Sequence, residues 1–213
     1  MAEYTLYCFA QSGNAYKAAL MLELCAADWE PRFVDFFNGE TRTDSYRDSV
    51  NIMGEVPVLD HDGRKVSQSG VILQYLADRF GRFQPTDDDE RLEALRWILF
   101  DNYKLTNYTS VRRFLGHLTN LGDPKTIEFL TMRMHRALDV VERHMADREW
   151  VVGNAPTIAD ISMCGYFFYD GELGFEWAQY PNMKAWVDRI RALPGWKHPY
   201  DLMPGHPMPS ASG

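Results

Sequence analysis

Short apolar runs alternate with helical patterns in the first eighty residues of the chain. Residues 4–9 and 32–36 are rich in aromatic and β-branched side chains, a composition typical of strands. Between these runs, small apolar residues recur from 15 to 26 at helical spacing. This pattern predicts a βαβ unit with parallel strands and a right-handed crossover.

A second group of elements follows a polar stretch, residues 38–49, that we expect to be a loop. Two apolar runs, 56–59 and 65–66, flank the turn signal Asp62-Gly63 and predict a β-hairpin. A helical apolar stripe then extends to Phe80. The order βαβ and then ββα predicts a four-stranded α/β domain over residues 1–81.

The composition changes at residues 82–90, which end in four consecutive acidic residues. We expect a linker whose acids begin the next helix, because the helix dipole favours negative charge there. After it, no strand pattern is found, so residues 91–213 are predicted to form an all-helical domain with an irregular or mobile tail. Its helices are predicted to begin near Leu92, at Asp123-Pro124, near Thr157 and near Met183.

The composition also restricts the classes of function. The chain has 213 residues, of which 46% are hydrophobic, so it can form a full core. Its net charge of −8 argues against nucleic acid or an anionic membrane as the main partner. No apolar run approaches the roughly 20 residues needed to cross a bilayer, and we see no signal peptide.

The cysteines and histidines give no sign of a disulfide framework or a metal site. Cys8, Cys25 and Cys164 are widely spaced, and the six histidines are scattered. We therefore expect a cytoplasmic protein without a metal cofactor.

Three polar segments each have a structural and a chemical interpretation. Residues 12–14, Ser-Gly-Asn, either cap the first helix or hold an anion at its N-terminus. Pro57 either lies in an edge strand or forms a cis bond that leaves the Val56 main chain free to pair with an extended peptide. Ser69 either caps a helix or helps its amides to bind a carboxylate.

A fourth segment has a structural interpretation only. Thr157 and Asp160 have the spacing of a capping box in which Asp replaces the usual Glu or Gln. We expect this box to begin a buried helix, and we do not assign Asp160 a catalytic role.

These motifs, in this order, resemble the glutathione S-transferase family over roughly residues 4–200. The resemblance implies an N-terminal thioredoxin-like α/β domain, βαβ-ββα, followed by an all-α helical domain. It also implies a cytosolic homodimer that uses glutathione as co-substrate and attacks a small-molecule electrophile.

The resemblance further suggests a thiolate donor. Ser12 and Asn14 match the serine-type branches of the family, theta, phi or nu-like, in which a Ser or Thr begins the first helix. The Ser12 hydroxyl would donate a hydrogen bond to the glutathione sulfur, which favours the thiolate, and Asn14 would support it. Tyr7 and Cys8 are rival candidates because other branches use these residue types, but both lie within the predicted strand.

The glutathione contacts are likewise implied by the resemblance. The Val56 main chain, beside Pro57, would pair with the cysteinyl part of glutathione. Gln68 and Ser69 would hold the γ-glutamyl carboxylate at a helix N-terminus.

Two positions depart from the family pattern. Many members have an acid where this chain has Gln68, and Lys or Gln where it has Glu55. Glu55 would repel the glycyl carboxylate if it faced the site. Arg42 or Lys17 is then the expected source of positive charge.

The aromatic residues of the helical domain are candidates for the electrophile pocket, although core packing is the alternative for each of them. They are Tyr103, Tyr108, Phe114, Phe167 and Phe168. Besides a transferase, the sequence permits a glutathione-dependent disulfide reductase or peroxidase, and a non-catalytic binding module. The unusual Glu55 and Gln68 favour the binding module.

Overall fold

The computed structural model describes residues 2–208 of the chain. These residues form two units, of which one contains the chain up to Arg82 together with the segment from Leu193 onward. The other unit is Phe83–Ala192. Among the described residues, no helix combines the length and the apolar character that a membrane span requires.

The first unit is built on a four-stranded mixed sheet, as predicted, with the strand order β2-β1-β3-β4. The second strand is parallel to the first, and the third is antiparallel to both of its neighbours. Its strands are β1 (Tyr4–Cys8), β2 (Trp29–Phe33), β3 (Val58–His61) and β4 (Arg64–Ser67). The predicted βαβ unit and hairpin are therefore confirmed.

Within residues 2–208, the α-helices of this unit are α1 (Gly13–Leu24), α2 (Asp44–Ser49), α3 (Ser69–Phe80) and α9 (Pro199–Leu202). The prediction of a loop over residues 38–49 was wrong, because α2 and a 3-10 turn at Glu40–Arg42 lie within it. Only Tyr46 is buried in α2, so this helix has no apolar periodicity to reveal it.

The second strand lies three residues earlier than predicted. Four of the five residues of β2 are exposed. As an edge strand, it is held by its main-chain pairing with β1 and not by an apolar face. Val34, which helped to suggest the strand, is buried just beyond its end.

The second unit is all-helical, as predicted. Its α-helices are α4 (Asp88–Phe100), α5 (Thr106–Arg113), α6 (Pro124–His144), α7 (Ile158–Met163) and α8 (Pro181–Arg191). Single π-turns at Asp101–Leu105 and Phe114–Leu118 follow α4 and α5, and 3-10 turns are found at Met145–Asp147 and Trp177–Gln179.

The helix starts follow the predicted capping chemistry. Asp87 accepts a hydrogen bond from the Glu90 N–H at the start of α4, and the Asp123 carboxylate accepts two at the start of α6. The capping box of Thr157 and Asp160 is also present. Each of these side chains satisfies amide groups that have no partner within the helix.

Asp160 is a buried structural residue. Its Oδ1 accepts hydrogen bonds from the Val151 N–H and the Trp186 Nε1–H, while Oδ2 accepts one from the Thr157 N–H. Burial raises the pKa of this carboxyl to about 6, although the hydrogen bonds from Thr157, Val151 and Trp186 act in the opposite direction. The carboxyl therefore joins α7 to neighbouring segments.

The C-terminal segment differs from the prediction. Residues 193–208 belong to the first unit, whereas the sequence placed them in the helical domain with an irregular or mobile tail. This segment contains α9, and Leu202 and Met203 are buried. Residues 209–213, which end the predicted irregular or mobile tail, lie outside the described part of the chain.

Candidate functional site

The sheet register brings three polar segments to one edge of the sheet. In β3, Val58 pairs with Tyr7 of β1 on one side and with Ser67 of β4 on the other. The turn after β1, the Val56-Pro57 bond before β3 and the β4–α3 junction therefore emerge beside one another. Segments that are separate in the sequence can thus contribute to a single site.

Ser12 is the N-cap of α1. Its Oγ accepts a hydrogen bond from the Ala15 N–H at 3.1 Å, and the residue is only 7% exposed. Because the oxygen accepts this bond, the hydroxyl proton can be donated to another group. The two interpretations of the sequence, helix cap and hydrogen-bond donor, are therefore compatible in one side chain.

Asn14 lies in the first turn of α1. Its Oδ1 is buried and has no hydrogen-bond partner among the described residues. Within residues 2–208, no hydrogen bond joins the Asn14 side chain to Ser12. A buried amide oxygen without a partner is rare in proteins, and a catalytic role is one of its recognised explanations.

Tyr7 and Cys8 both lie within β1, as the sequence indicated. The Tyr7 hydroxyl accepts a hydrogen bond from Arg32 at 3.0 Å, and its ring packs in a buried cluster with Val34 and Val58. Cys8 is fully buried, and desolvation raises the pKa of its thiol to about 12. This thiol is therefore protonated, and unsuited to act as a nucleophile, at neutral pH.

The Val56-Pro57 peptide bond is cis. The preceding loop is held in place by the Tyr46 hydroxyl and the Asn51 side-chain amide, which both donate to the Glu55 carbonyl, at 3.0 and 3.1 Å. The Val56 main-chain N–H and C=O make no hydrogen bond with any residue in the described range. They can therefore pair with an extended ligand.

The β4–α3 junction has an unusual backbone. Gln68 has φ +69°, a region that residues other than glycine rarely adopt. Such conformations are concentrated at functional sites. The Gln68 side chain makes no cap bond to α3, so the first amide groups of this helix receive no side-chain partner from it.

Ser69 is the first residue of α3 and not its cap, which corrects the capping interpretation. It is only 6% exposed, and its hydroxyl has no hydrogen-bond partner among residues 2–208. Together with the N-terminal amides of α3, this hydroxyl is suited to hold a carboxylate.

Glu55 and Gln68 contact each other. The Gln68 Nε2 donates a hydrogen bond to the Glu55 Oε2 at 2.8 Å and lies 3.4 Å from the Met53 sulfur. A carboxylate therefore lies beside the start of α3.

The two predicted cations have different environments. Arg42 is exposed at the end of the 3-10 turn before α2, whereas Lys17 is fully buried in α1. Solvent therefore reaches the side chain of Arg42 but not that of Lys17.

The predicted aromatic pocket residues do not share one environment. Tyr103 is 69% exposed, the Tyr108 hydroxyl accepts a hydrogen bond from Arg133 at 2.6 Å, and Phe168 is fully buried. Phe114 is partly exposed in the π-turn after α5, and Phe167 is buried. The electrophile pocket formed by these aromatic residues therefore stays a prediction.

A cavity of about 270 Å³ is found within the second unit. Its lining includes the aromatic residues Tyr169, Phe175 and Trp177 and the charged residues Asp188 and Arg191. None of the five predicted pocket residues contributes to it. This cavity is therefore distinct from the predicted electrophile pocket.

Sequence reasoning missed the residues that support the site. Tyr46 and Asn51 hold the loop before Pro57, and Gln11 contacts the C-terminal segment. The only local signal was polar residues next to a motif, which is too common to identify them. Within residues 2–208, no group of three or more His, Cys, Asp or Glu side chains is arranged to hold a metal ion.

Comparisons with known proteins give the family. The model of the glutathione S-transferase N-terminal domain matches residues 2–78, and that of the C-terminal domain matches residues 125–194. A crystal structure of a glutathione S-transferase from Pseudomonas fluorescens is 33% identical, with a TM-score of 0.86 over 92% of this chain and 98% of that chain.

Two curated relatives have different names. The disulfide-bond oxidoreductase YfcG of Escherichia coli is 28% identical over 87% of this chain and 89% of its own length. Glutathione S-transferase 2 of Schizosaccharomyces pombe is 27% identical over 94% of this chain and 96% of its own. Because the two family models together match more than half of its residues, this chain belongs to the glutathione S-transferase family.

Proposed function

We propose that this protein is a serine-type glutathione transferase, of the theta, phi or nu-like kind, that activates glutathione as a thiolate. The single observation that carries the proposal is the Ser12 hydroxyl at the start of α1, which accepts from the Ala15 N–H and can donate its own proton. A hydrogen bond donated to the sulfur, next to a helix N-terminus, lowers the pKa of a thiol.

The remaining glutathione contacts are made by residues at the same edge of the sheet. The Val56 main chain, beside the cis Pro57, pairs with the cysteinyl part of the tripeptide. Gln68, Ser69 and the N-terminal amides of α3 hold the γ-glutamyl carboxylate. The exposed Arg42 is better placed than the buried Lys17 to meet the glycyl carboxylate, because a fully buried ammonium does not face solvent.

The reaction is a nucleophilic substitution. Solvent takes the thiol proton, the Ser12 hydroxyl stabilises the thiolate, and the sulfur forms a bond to an electrophilic carbon as the leaving group departs with the bonding electrons. Ser12 keeps its own proton throughout. The electrophile is a small apolar molecule that binds against aromatic residues of the helical domain, with Tyr103, Tyr108, Phe114 and Phe168 as candidates.

A second candidate function uses the same residues. The relative YfcG is named a disulfide-bond oxidoreductase, which supports a disulfide reductase as the second candidate. In that reaction the glutathione thiolate attacks a disulfide sulfur and releases one thiol. A second glutathione then resolves the mixed disulfide, so that two glutathione molecules are oxidised as the substrate disulfide is reduced.

We also propose a cytoplasmic homodimer. No disulfide joins Cys8, Cys25 and Cys164, all of which lie within the described residues, and this is typical of a reducing compartment. A stripe of exposed leucines on α4, Leu92, Leu95 and Leu99, supports a contact with a second copy.

The test compares Ser12→Ala with Ser12→Thr. Both transferase activity, with a chlorodinitrobenzene electrophile, and disulfide reduction are measured, together with the pKa of bound glutathione from its thiolate absorbance. We expect Ser12→Ala to raise that pKa by at least about one unit, which corresponds to about 1.4 kcal/mol of lost thiolate stabilisation. Ser12→Thr keeps both the hydroxyl and the cap, so it should retain most activity.

The exposed Ser49 provides a matched control as Ser49→Ala. If Ser12→Ala keeps the thiolate pKa and both activities of the wild type, Ser12 is not the donor. If glutathione binds but neither reaction proceeds in the wild type, the protein is a binding module.

A further inference from the structure

The C-terminal part of the first unit contacts the turn that carries Ser12. We call residues 199–205 the C-terminal strap; they comprise α9 and the three residues that follow it. Leu202 and Met203 are buried, so the strap is anchored by apolar side chains. It is thus an ordered part of this unit.

Two hydrogen bonds join the strap to the residues immediately before Ser12. The Ala10 N–H donates to the Pro204 carbonyl at 2.7 Å, and the Gln11 Nε2 donates to the Gly205 carbonyl at 2.8 Å. Gln11 is itself only 4% exposed. The donors of both bonds are therefore buried while the acceptors are partly exposed, and losing a partner of a buried donor costs more than losing a fully exposed bond.

The conformation of the strap depends on Gly205. This residue has φ +96°, and a Cβ at this position would lie 2.6 Å from the Phe33 Cε2. Just beyond the strap, the His206 ring stacks on Tyr200 of α9, with ring centroids 3.7 Å apart. Any larger residue at position 205 must therefore displace the strap or the Phe33 ring, and it would also be strained at this positive φ. Displacement of the strap would weaken its contacts with the turn.

We propose that the C-terminal strap, through Gln11 and Gly205, positions the Ser12 hydroxyl for the bound thiolate. This inference rests on the proposed role of Ser12. The turn is short, because the Ser12 N–H donates to the Phe9 carbonyl at 3.0 Å, so a shift at positions 10 and 11 is transmitted to Ser12. A donor displaced by a fraction of an ångström stabilises a developing charge less well.

The experiment uses Gly205→Ala and Gln11→Ala in the full-length protein. Gly63→Ala is the matched control, because Gly63 has a similar φ of +83° and a Cβ there meets nothing within 4 Å. For each variant we would measure the thiolate pKa of bound glutathione, kcat and KM for the transferase reaction, and Tm.

We expect both strap variants to raise the thiolate pKa and to lower kcat by roughly 3- to 10-fold, which is the equivalent of one lost hydrogen bond. KM for glutathione should change less, because the strap does not contact the proposed glutathione residues Val56 and Ser69. The control should keep the wild-type thiolate pKa, even if its Tm falls.

The inference is overturned if Gly205→Ala and Gln11→Ala lower Tm but leave the thiolate pKa and kcat unchanged, because the strap would then contribute stability only. Should Gly205→Ala fail to fold, Gln11→Ala decides alone, since it removes a side chain without adding a clash. Failure of the proposed function is a different result, in which Ser12→Ala itself leaves the thiolate pKa unchanged.

Discussion

The Gln68 side-chain amide donates a hydrogen bond to the Glu55 carboxylate at 2.8 Å, so the two residues that depart from the family pattern contact each other. They lie on either side of the β3–β4 hairpin, and both are exposed. Gln68 thus keeps a negative charge beside the start of α3. This charge should oppose the binding of glutathione, which carries two carboxylates.

Glu55→Gln should therefore tighten binding. We expect the Kd of S-methylglutathione to fall by roughly 2- to 5-fold, in line with the energy of an exposed charge interaction. Isothermal titration calorimetry would measure the change.

Asp62→Asn is the matched control, because it removes another exposed negative charge, at the far end of the same hairpin. Weaker binding by Glu55→Gln would contradict the prediction and would mean that Glu55 attracts the γ-glutamyl ammonium.

Two of the three thiols, those of Cys8 and Cys25, should differ in reactivity. Cys8 is fully buried, with a raised pKa, whereas Cys25 is partly exposed and burial raises its pKa as well. At about pH 8 we expect an alkylating reagent to label Cys25 slowly and to leave Cys8 unmodified. Mass spectrometry of peptides would locate the label, and the protein unfolded in urea should be labelled at both positions. Labelling of native Cys8 ahead of Cys25 would refute this prediction.

Asp160 should make stability depend on pH. Its folded-state pKa of about 6 lies above the ordinary unfolded value of about 3.9, so between these values the folded state holds a proton that the unfolded state has lost. This contribution to stability is present at low pH and falls as the pH rises. Urea unfolding at about pH 4.5 and about pH 6.5 would measure it.

Asp160→Asn provides the reference. It should be less stable than the wild type, because its NH₂ group must face one of the main-chain or indole donors that the carboxylate accepts from. The difference in the free energy of unfolding between the two proteins should narrow by roughly 2 kcal/mol from the lower to the higher pH. A difference that widens with pH would show that the folded-state pKa of Asp160 is instead lowered.

The exposed leucines of α4 give a prediction about assembly. Leu95 is 52% exposed, between Leu92 and Leu99 on the same helix face. Leu95→Glu should convert a homodimer into monomers, because a charge in an apolar interface is not solvated. Sedimentation velocity would measure the change, with Leu121→Glu as the control, since Leu121 is 77% exposed in the loop before α6. A wild-type protein that sediments as a monomer would rule out the proposed dimer.

The helix caps and the longer helices were predictable because their signals are local. On α6, Leu130, Met134 and Leu138 follow one another at helical spacing, and all three are buried. The apolar residues of α4, which also recur at helical spacing, were less informative. There Ile98 is buried while Leu92 and Leu95 are exposed, because apolar spacing alone does not say whether a side chain faces its own core or another molecule.

The sequence by itself determined the order of the four strands, the caps formed by Ser12 and Asp123, and the buried box of Thr157 and Asp160. Each depends on residues within one or two helical turns, whose hydrogen bonds form between near neighbours.

Only the tertiary structure decided which distant segments meet. The pairing of Val58 with Tyr7 and Ser67 gathers the polar segments at one edge, and the C-terminal strap returns to Gln11 across most of the chain. The same packing buries Cys8 and so keeps its thiol protonated. Such contacts form when the whole chain buries its apolar surface away from water. No short stretch of sequence determines which distant residues are buried together.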